Sequence, residues 1–223
     1  MILSLPNVIT PEELAEMRAL FARATFEPGV TTAGWGAREA KHNLQMKPGT
    51  PEAIQAQEIV TKAITRNADF TMAVRPKAMR PALFNRYEPG MSYGDHVDDA
   101  MMGWPQPLRT DVSFTLFLTD PSEYDGGELV IVATHEERAF KLPAGSIFLY
   151  PASTLHRVNP VTRGVREAAV SWVQSFIRDP LQREILYDLE LVRRTMFQRS
   201  GKTAELDRLS KCHVNLVRRW TEV

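Results

Sequence analysis

The amino-acid sequence predicts an α+β fold: a jelly roll or antiparallel sandwich, with two helices in front of it and a helical hairpin behind. Three observations carry that prediction. β-rich runs bounded by Gly, Pro or Asp follow one another between residues 82 and 176. Two segments before them open with Thr-Pro and then repeat apolar residues at helical spacing. After Asp179-Pro180 the apolar period becomes helical again.

Taken in order, Ile2-Leu3-Ser4-Leu5 reads as a short opening strand. Thr10, Pro11 and Glu13 supply an N-cap, a first-turn proline and a capping-box glutamate, and Leu14, Met17, Leu20 and Phe21 form the buried stripe of the helix they start. Residues 28–49 are rich in Gly, Thr and Pro and carry no assigned element; His42 there reads as a solvated or structural histidine. A second helix begins at Thr50-Pro51 and runs to about Asn67, with Ile54, Ile59 and Ile64 among its apolar positions. Beyond a break near Arg75-Pro76, strands are expected over 82–87, 110–119, 127–132, 146–150 and 166–176, with Asp125-Gly126-Gly127 as a hairpin turn.

From Asp179-Pro180, one amphipathic helix is marked by Leu181, Ile185, Leu189, Val192 and Met196. Ser200-Gly201 breaks it, and Leu206, Leu209, His213, Leu216, Val217 and Trp220 continue on another. His213 falls within this spacing and reads as a packed residue, and the arginines 193, 194, 199, 218 and 219 as a solvated face. The expected division is residues 1–178 for the barrel with its N-terminal helices and 179–223 for the helical extension. A hairpin cannot bury such a stripe by itself, so it must dock on the barrel or on a second copy; a homodimer is the expected outlet.

Composition narrows the class. Lysine plus arginine (27) equals aspartate plus glutamate (27), so charge gives no reason to expect nucleic acid or an anionic membrane as partner. The single cysteine, Cys212, excludes an intrachain disulfide and fits a reducing, cytoplasmic setting. No segment has the run of apolar residues that a membrane span needs.

The chemistry centres on Arg86-Tyr87-Glu88-Pro89-Gly90-Met91-Ser92-Tyr93-Gly94-Asp95-His96-Val97-Asp98. On an extended strand residues i and i+2 share a face, so His96 and Asp98 aim an imidazole and a carboxylate at one point. Alone, His-x-Asp is a frequent chance tripeptide. Downstream, however, His156 follows Pro151-Ala152-Ser153-Thr154-Leu155, and Arg166 lies ten residues later on an apolar strand. His96, Asp98 and His156 make up a 2-His-1-carboxylate set, which holds Fe(II) and leaves coordination positions open.

At these residues the chain resembles the Fe(II)/2-oxoglutarate dioxygenases, and more narrowly the PKHD-type bacterial hydroxylases. Supporting phrases are Arg-Tyr-Glu-Pro-Gly-Met (86–91), Arg-Thr-Asp-Val-Ser-Phe-Thr-Leu-Phe-Leu (109–118), Tyr-Asp-Gly-Gly-Glu-Leu-Val-Ile (124–131), Leu-Pro-Ala-Gly-Ser (142–146) and Trp-Val-Gln-Ser (172–175). The resemblance implies a double-stranded β-helix with iron at its open end. It also implies oxidative decarboxylation of 2-oxoglutarate to succinate and CO2, coupled through O2 to hydroxylation of a substrate, with L-ascorbate as reductant. Arg166 is then the partner of the far carboxylate of 2-oxoglutarate, since a guanidinium offers two parallel donors. Many relatives carry Arg-x-Ser at this point; here the third residue is Ala168, and Tyr93 is the expected assistant. Arg163 sits in a turn and should face solvent. The loop 99–105, with Met101, Met102 and Trp104, reads as a substrate lid or as rim packing. Bacterial relatives are associated with iron uptake, so a siderophore-like molecule or a protein side chain are the candidate substrates. Two other classes compete: a non-catalytic barrel with a structural metal, and a cupin-type sugar-binding or isomerase barrel. The first has no need of a buried arginine after the second histidine. The second usually draws more histidines to its metal than the contexts of His42, His135 and His213 allow.

Overall fold

A computed structural model describes residues 1–223 and shows two main antiparallel sheets, two small strand pairs and helices on one side. The larger sheet has the strand order Leu3–Leu5, Ile147–Pro151, Val112–Phe117, Arg166–Ser175, Leu83–Tyr87, Leu44–Met46 and Phe26–Pro28, with Pro76–Met79 pairing the far half of Arg166–Ser175. The smaller runs Glu137–Phe140, Leu129–Val132, Leu155–Val158, Ser92–His96 and Lys41–His42. This is the jelly-roll arrangement expected of a double-stranded β-helix.

The helices are α1 (Pro11–Arg23), α2 (Pro51–Arg66), α3 (Ala68–Val74), α4 (Pro180–Ser200) and α5 (Ala204–Trp220). At the start of α1 the capping box forms as read: Thr10 Oγ1 accepts from the Glu13 amide and Glu13 Oε2 from the Thr10 amide. Met17, Leu20 and Phe21 are buried, with Leu14 partly so. In α2 the buried residues are Ala53, Ala56, Ile59, Val60, Ala63 and Ile64, whereas Ile54 is 48% exposed and lies off that face. The short helix α3 was not expected. Asn67 ends α2 and at the same time caps α3, its side chain accepting from the Phe70 amide.

Two cores result. The larger packs Phe84, Phe114, Leu116, Ile147, Leu149 and Val173 of the main sheet against α1, α2 and α3. The smaller fills the space between the sheets with Tyr87, Phe117, Leu129, Ile131, Phe148, Tyr150, Val158 and Val161. Val112–Phe117 is buried at every position because both its faces are covered. Its even-numbered residues Val112, Phe114 and Leu116 meet the helices, and the alternate ones, Ser113, Thr115 and Phe117, face the other sheet.

Three expectations need correction. Residues 28–49 contain the strands Lys41–His42 and Leu44–Met46, which add to the two sheets. Asp125-Gly126-Gly127 is not a hairpin turn: Tyr124–Gly126 is itself a short strand paired with Val161–Gly164. The stripe read on α4 is largely its solvent side, with Leu181 at 68%, Ile185 at 46% and Val192 at 49% exposure. The buried residues of α4 are Arg183 and Leu186, and α5 turns Leu206 and His213 inward. Arg183 Nη1 donates to the Ile177 and Arg178 carbonyls at 2.7 and 2.8 Å, which ties the hairpin to the end of the main sheet.

Candidate active site

His96 closes the strand Ser92–His96, and His156 lies directly opposite it on Leu155–Val158. Their ring centres are 4.2 Å apart. Each ring is anchored the same way: Nδ1 donates to the carbonyl two residues earlier, His96 to Gly94 at 2.8 Å and His156 to Thr154 at 2.9 Å. A carbonyl only accepts, so Nδ1 carries a proton in each ring and Nε2 is the nitrogen left to act as a ligand. Burial, and after it the neighbouring His156, push the His96 imidazole down to about 4, which keeps it neutral near pH 7.

Asp98 is placed differently from the expectation. The strand ends at His96, so Asp98 stands in the following loop and strand periodicity does not aim it. Ser113 does: its hydroxyl, on the main sheet, donates to Asp98 Oδ2 at 2.6 Å. One ligand-type atom from each of His96, Asp98 and His156 lies within 4.8 Å of the other two. Two imidazoles and a carboxylate form a donor set that suits a divalent first-row ion such as Fe(II).

Arg166 opens the strand Arg166–Ser175 and is 2% exposed. Its guanidinium lies 5.1 Å from the Tyr87 ring centre and 5.4 Å from that of Phe117, and its Nε has no hydrogen-bond partner. Gly127, at φ +65°, lets the arginine stem pass; a Cβ there would stand 3.0 Å from Arg166 Cδ. A buried cation without a carboxylate is costly unless something anionic joins it. Arg163, by contrast, is exposed and pairs with Asp125 at 2.6 Å.

Tyr93 stacks on His96, with ring centres 3.6 Å apart and planes at 16°. Three residues apart on a regular strand they would face opposite ways. The register against Leu155–Val158 shifts by one residue between them, and this bulge turns both to the cavity side. Tyr93, His96, Asp98, His156 and Arg166 line one cavity of about 730 Å3, whose rim carries Trp35, Met101 and Trp104, 93%, 48% and 81% exposed. The expected lid loop is a small hairpin in which Met101–Met102 pairs with Leu108–Arg109. His42 and His135 are exposed and His213 is buried in the C-terminal hairpin, so none joins the cluster.

The model of the 2OG-Fe(II) oxygenase superfamily matches residues 82–174, which contain His96, Asp98, His156 and Arg166. A PKHD-type hydroxylase of Synechococcus is 54% identical over 224 residues, covering 100% of both chains. The chain belongs to the PKHD-type hydroxylases. As a member it is an Fe(II)- and 2-oxoglutarate-dependent dioxygenase. The hydroxylase shares its fold with a Pseudomonas putida prolyl-4-hydroxylase, at TM-score 0.51 and 20% identity over 78% of this chain and 92% of that one. A Trichoplax adhaerens prolyl hydroxylase, solved with a hypoxia inducible factor oxygen degradation domain peptide, gives TM-score 0.56 and 15% identity, covering 77% of this chain and 82% of that one.

Several residues of the hydroxylase's cavity escaped the reading of its sequence. Ser113, which holds Asp98, and Thr115, which lines the cavity, alternate with Val112, Phe114 and Leu116, and polar residues at every second place of a buried run mark a wall that faces something polar. Lys41, Gln45 and Asn85 also line the cavity, and burial lowers the Lys41 ammonium to about 8. Tyr150 packs edge-on to His156 at 4.9 Å. Nothing in the spacing of these four residues distinguishes them.

Proposed function

We propose that His96, Asp98 and His156 ligate the catalytic Fe(II), and that Arg166 binds the far carboxylate of 2-oxoglutarate. The observation that carries this reading is the pairing of an open two-imidazole, one-carboxylate cluster with a buried, unpaired arginine in the same cavity. When bound, iron and cosubstrate supply the oxidising chemistry: 2-oxoglutarate goes to succinate and CO2, and one atom of O2 goes to the substrate. The residues of the chain provide the setting. The Gly94 and Thr154 carbonyls hold both imidazoles through Nδ1 and Ser113 holds one oxygen of Asp98, so Nε2 of each ring and the other carboxylate oxygen would be the atoms that hold the iron. Tyr93 keeps the His96 ring in its plane by stacking and is assigned to the cosubstrate pocket. The apolar lining between the sheets excludes water from the reacting centre.

The substrate enters over the rim of Trp35, Met101 and Trp104. A protein side chain or a siderophore-like metabolite is proposed, the latter in keeping with a link to iron uptake. L-ascorbate is the proposed reductant, and the cytoplasm the proposed setting, supported by the single exposed Cys212. The exposed stripe of α4 supports a homodimer.

The test is succinate release from 2-oxoglutarate with Fe(II) and ascorbate, together with calorimetric titration of metal and cosubstrate. His156→Ala should lose both metal affinity and turnover. Arg166→Ala should keep metal affinity and bind 2-oxoglutarate far more weakly, since an unpaired buried charge is worth roughly 3–5 kcal/mol. Normal iron affinity in His156→Ala would remove it from the ligand set. Addition of one oxygen atom to a component of a cell extract would identify the substrate.

A further inference from the structure

Asn85 lies on Leu83–Tyr87 and is 3% exposed, yet it lines the cavity. Sheet register puts it directly opposite Ala168, while Tyr87 is opposite Arg166. Residues directly opposed in an antiparallel pair share a face, and so do residues two apart on one strand. Asn85 therefore stands on the Arg166 side of the main sheet, one step along the wall from the guanidinium. Ala168, its neighbour there, has no hydrogen-bonding group.

The direction in which Asn85 points its amide is set by a chain of hydrogen bonds that starts at a group able only to donate. Lys41 Nζ donates to Thr32 Oγ1 at 2.9 Å. Thr32 Oγ1 is 2.6 Å from Gln45 Oε1 and 3.1 Å from the Gly29 carbonyl, and the shorter contact takes its proton. With Oε1 accepting, Gln45 Nε2 donates to Asn85 Oδ1 at 2.7 Å, and Asn43 Nδ2 donates to the same oxygen at 2.9 Å. The Oδ1 of Asn85 is thus committed to two donors. Its Nδ2, with two protons, is left for the cavity.

We infer that Asn85 Nδ2 is a second donor to the 2-oxoglutarate carboxylate held by Arg166, taking the place of a side-chain donor that Ala168 cannot provide. The inference rests on the assignment of Arg166 given above. A carboxylate offers about four acceptor sites, and a guanidinium approaching edge-on fills two of them. Asn85 supplies a neutral donor from the same sheet face, held by buried amides rather than by a mobile side chain.

The experiment uses the full-length protein loaded with Mn(II) and titrates two ligands calorimetrically. One is 2-oxoglutarate; the other is pyruvate, which has the same 2-oxo acid head but no far carboxylate. Asn85→Asp keeps the shape and the accepting oxygen but places a second, acceptor-only oxygen toward the carboxylate. Asn85→Ala removes the donor altogether. Both should weaken 2-oxoglutarate binding by about tenfold or more, the loss expected for a hydrogen bond to a charged group, and leave Mn(II) and pyruvate affinity unchanged. Adding Ala168→Ser to Asn85→Ala puts a hydroxyl into the space the amide vacates and should restore most of the loss. Wild-type 2-oxoglutarate affinity in both Asn85 variants, with Arg166→Ala still defective, overturns the inference alone. Wild-type affinity in Arg166→Ala as well removes the cosubstrate reading on which it stands. Equal losses for 2-oxoglutarate and pyruvate, without rescue by Ala168→Ser, would show a general disturbance of the pocket and also overturn it.

Discussion

Ser113 determines which oxygen of Asp98 is left for the cavity, although Asp98 belongs to the motif and Ser113 does not. Its hydroxyl is buried and its bond to Oδ2 is 2.6 Å, so removing it frees a loop carboxylate to turn. Ser113→Ala is expected to lower Fe(II) or Mn(II) affinity by roughly tenfold, the lower end of what outer partners of metal ligands contribute. Calorimetric metal titration checks this, with thermal unfolding of the metal-free protein as the control for folding. The candidates His96, Asp98 and His156 stood out by residue type and spacing and Arg166 through the family resemblance, and the structure gathers all four around one cavity. The argument for Asp98 nevertheless used the wrong geometry, since the strand stops two residues short of it. Tyr93 and His96 face together only because of a bulge, and a bulge follows from pairing with another strand. That information is absent from the segment itself.

On the scale of elements, periodicity identified helices more securely than it identified their buried sides. Ile54 and Ile64 both fit a 3.6-residue pattern in α2, but Ile64 is 3% exposed and Ile54 48%. Ile64→Ala should destabilise by about 2–5 kcal/mol, as for other large-to-small core changes, and Ile54→Ala by under about 1 kcal/mol; urea titration separates them. The stripe of α4 was misplaced for a related reason. Its inward side carries Arg183, Glu190 and Arg193, whose long polar chains cover α5 and the sheet end without looking apolar. His213 of α5 meets this side, with Nδ1 3.1 Å from Arg193 Nη1 and Nε2 3.1 Å from Arg75 Nη2, and Glu190 3.9 Å away. Burial, then Arg193 and Arg75, hold its imidazole below the ordinary range. The unfolded chain therefore binds a proton here more readily than the folded one once pH drops under about 6.5. The stability this site contributes is complete above that value and declines as pH falls toward the lower folded pKa. Comparing urea midpoints of the wild type and His213→Gln from neutral to acidic pH should show a steeper decline in the wild type, because His96 contributes its own decline to both.

For the whole molecule, the strand-rich middle and its flanking helices were legible because β-branched and aromatic runs differ plainly from capped amphipathic ones. Which strands join which sheet was not, since sheet order depends on pairings far apart in the chain. The proposed homodimer belongs to this scale. Full-length protein should sediment as a dimer at micromolar concentration, and Ile185→Glu with Val192→Glu should make it a monomer without loss of fold. A wild-type monomer would leave the α4 stripe as a solvent face. The sheets themselves have one further consequence. His96 and His156 stand on the smaller sheet, while Asp98 is fastened to the larger one through Ser113. An ion held by all three would act as a rivet across the seam between the sheets. At a hundredfold excess over its dissociation constant such an ion adds about 2.7 kcal/mol to stability. Chelation should then speed amide exchange most in Ser92–His96 and Leu155–Val158, along the seam, while Val112–Phe117, clamped on both faces, keeps its protons.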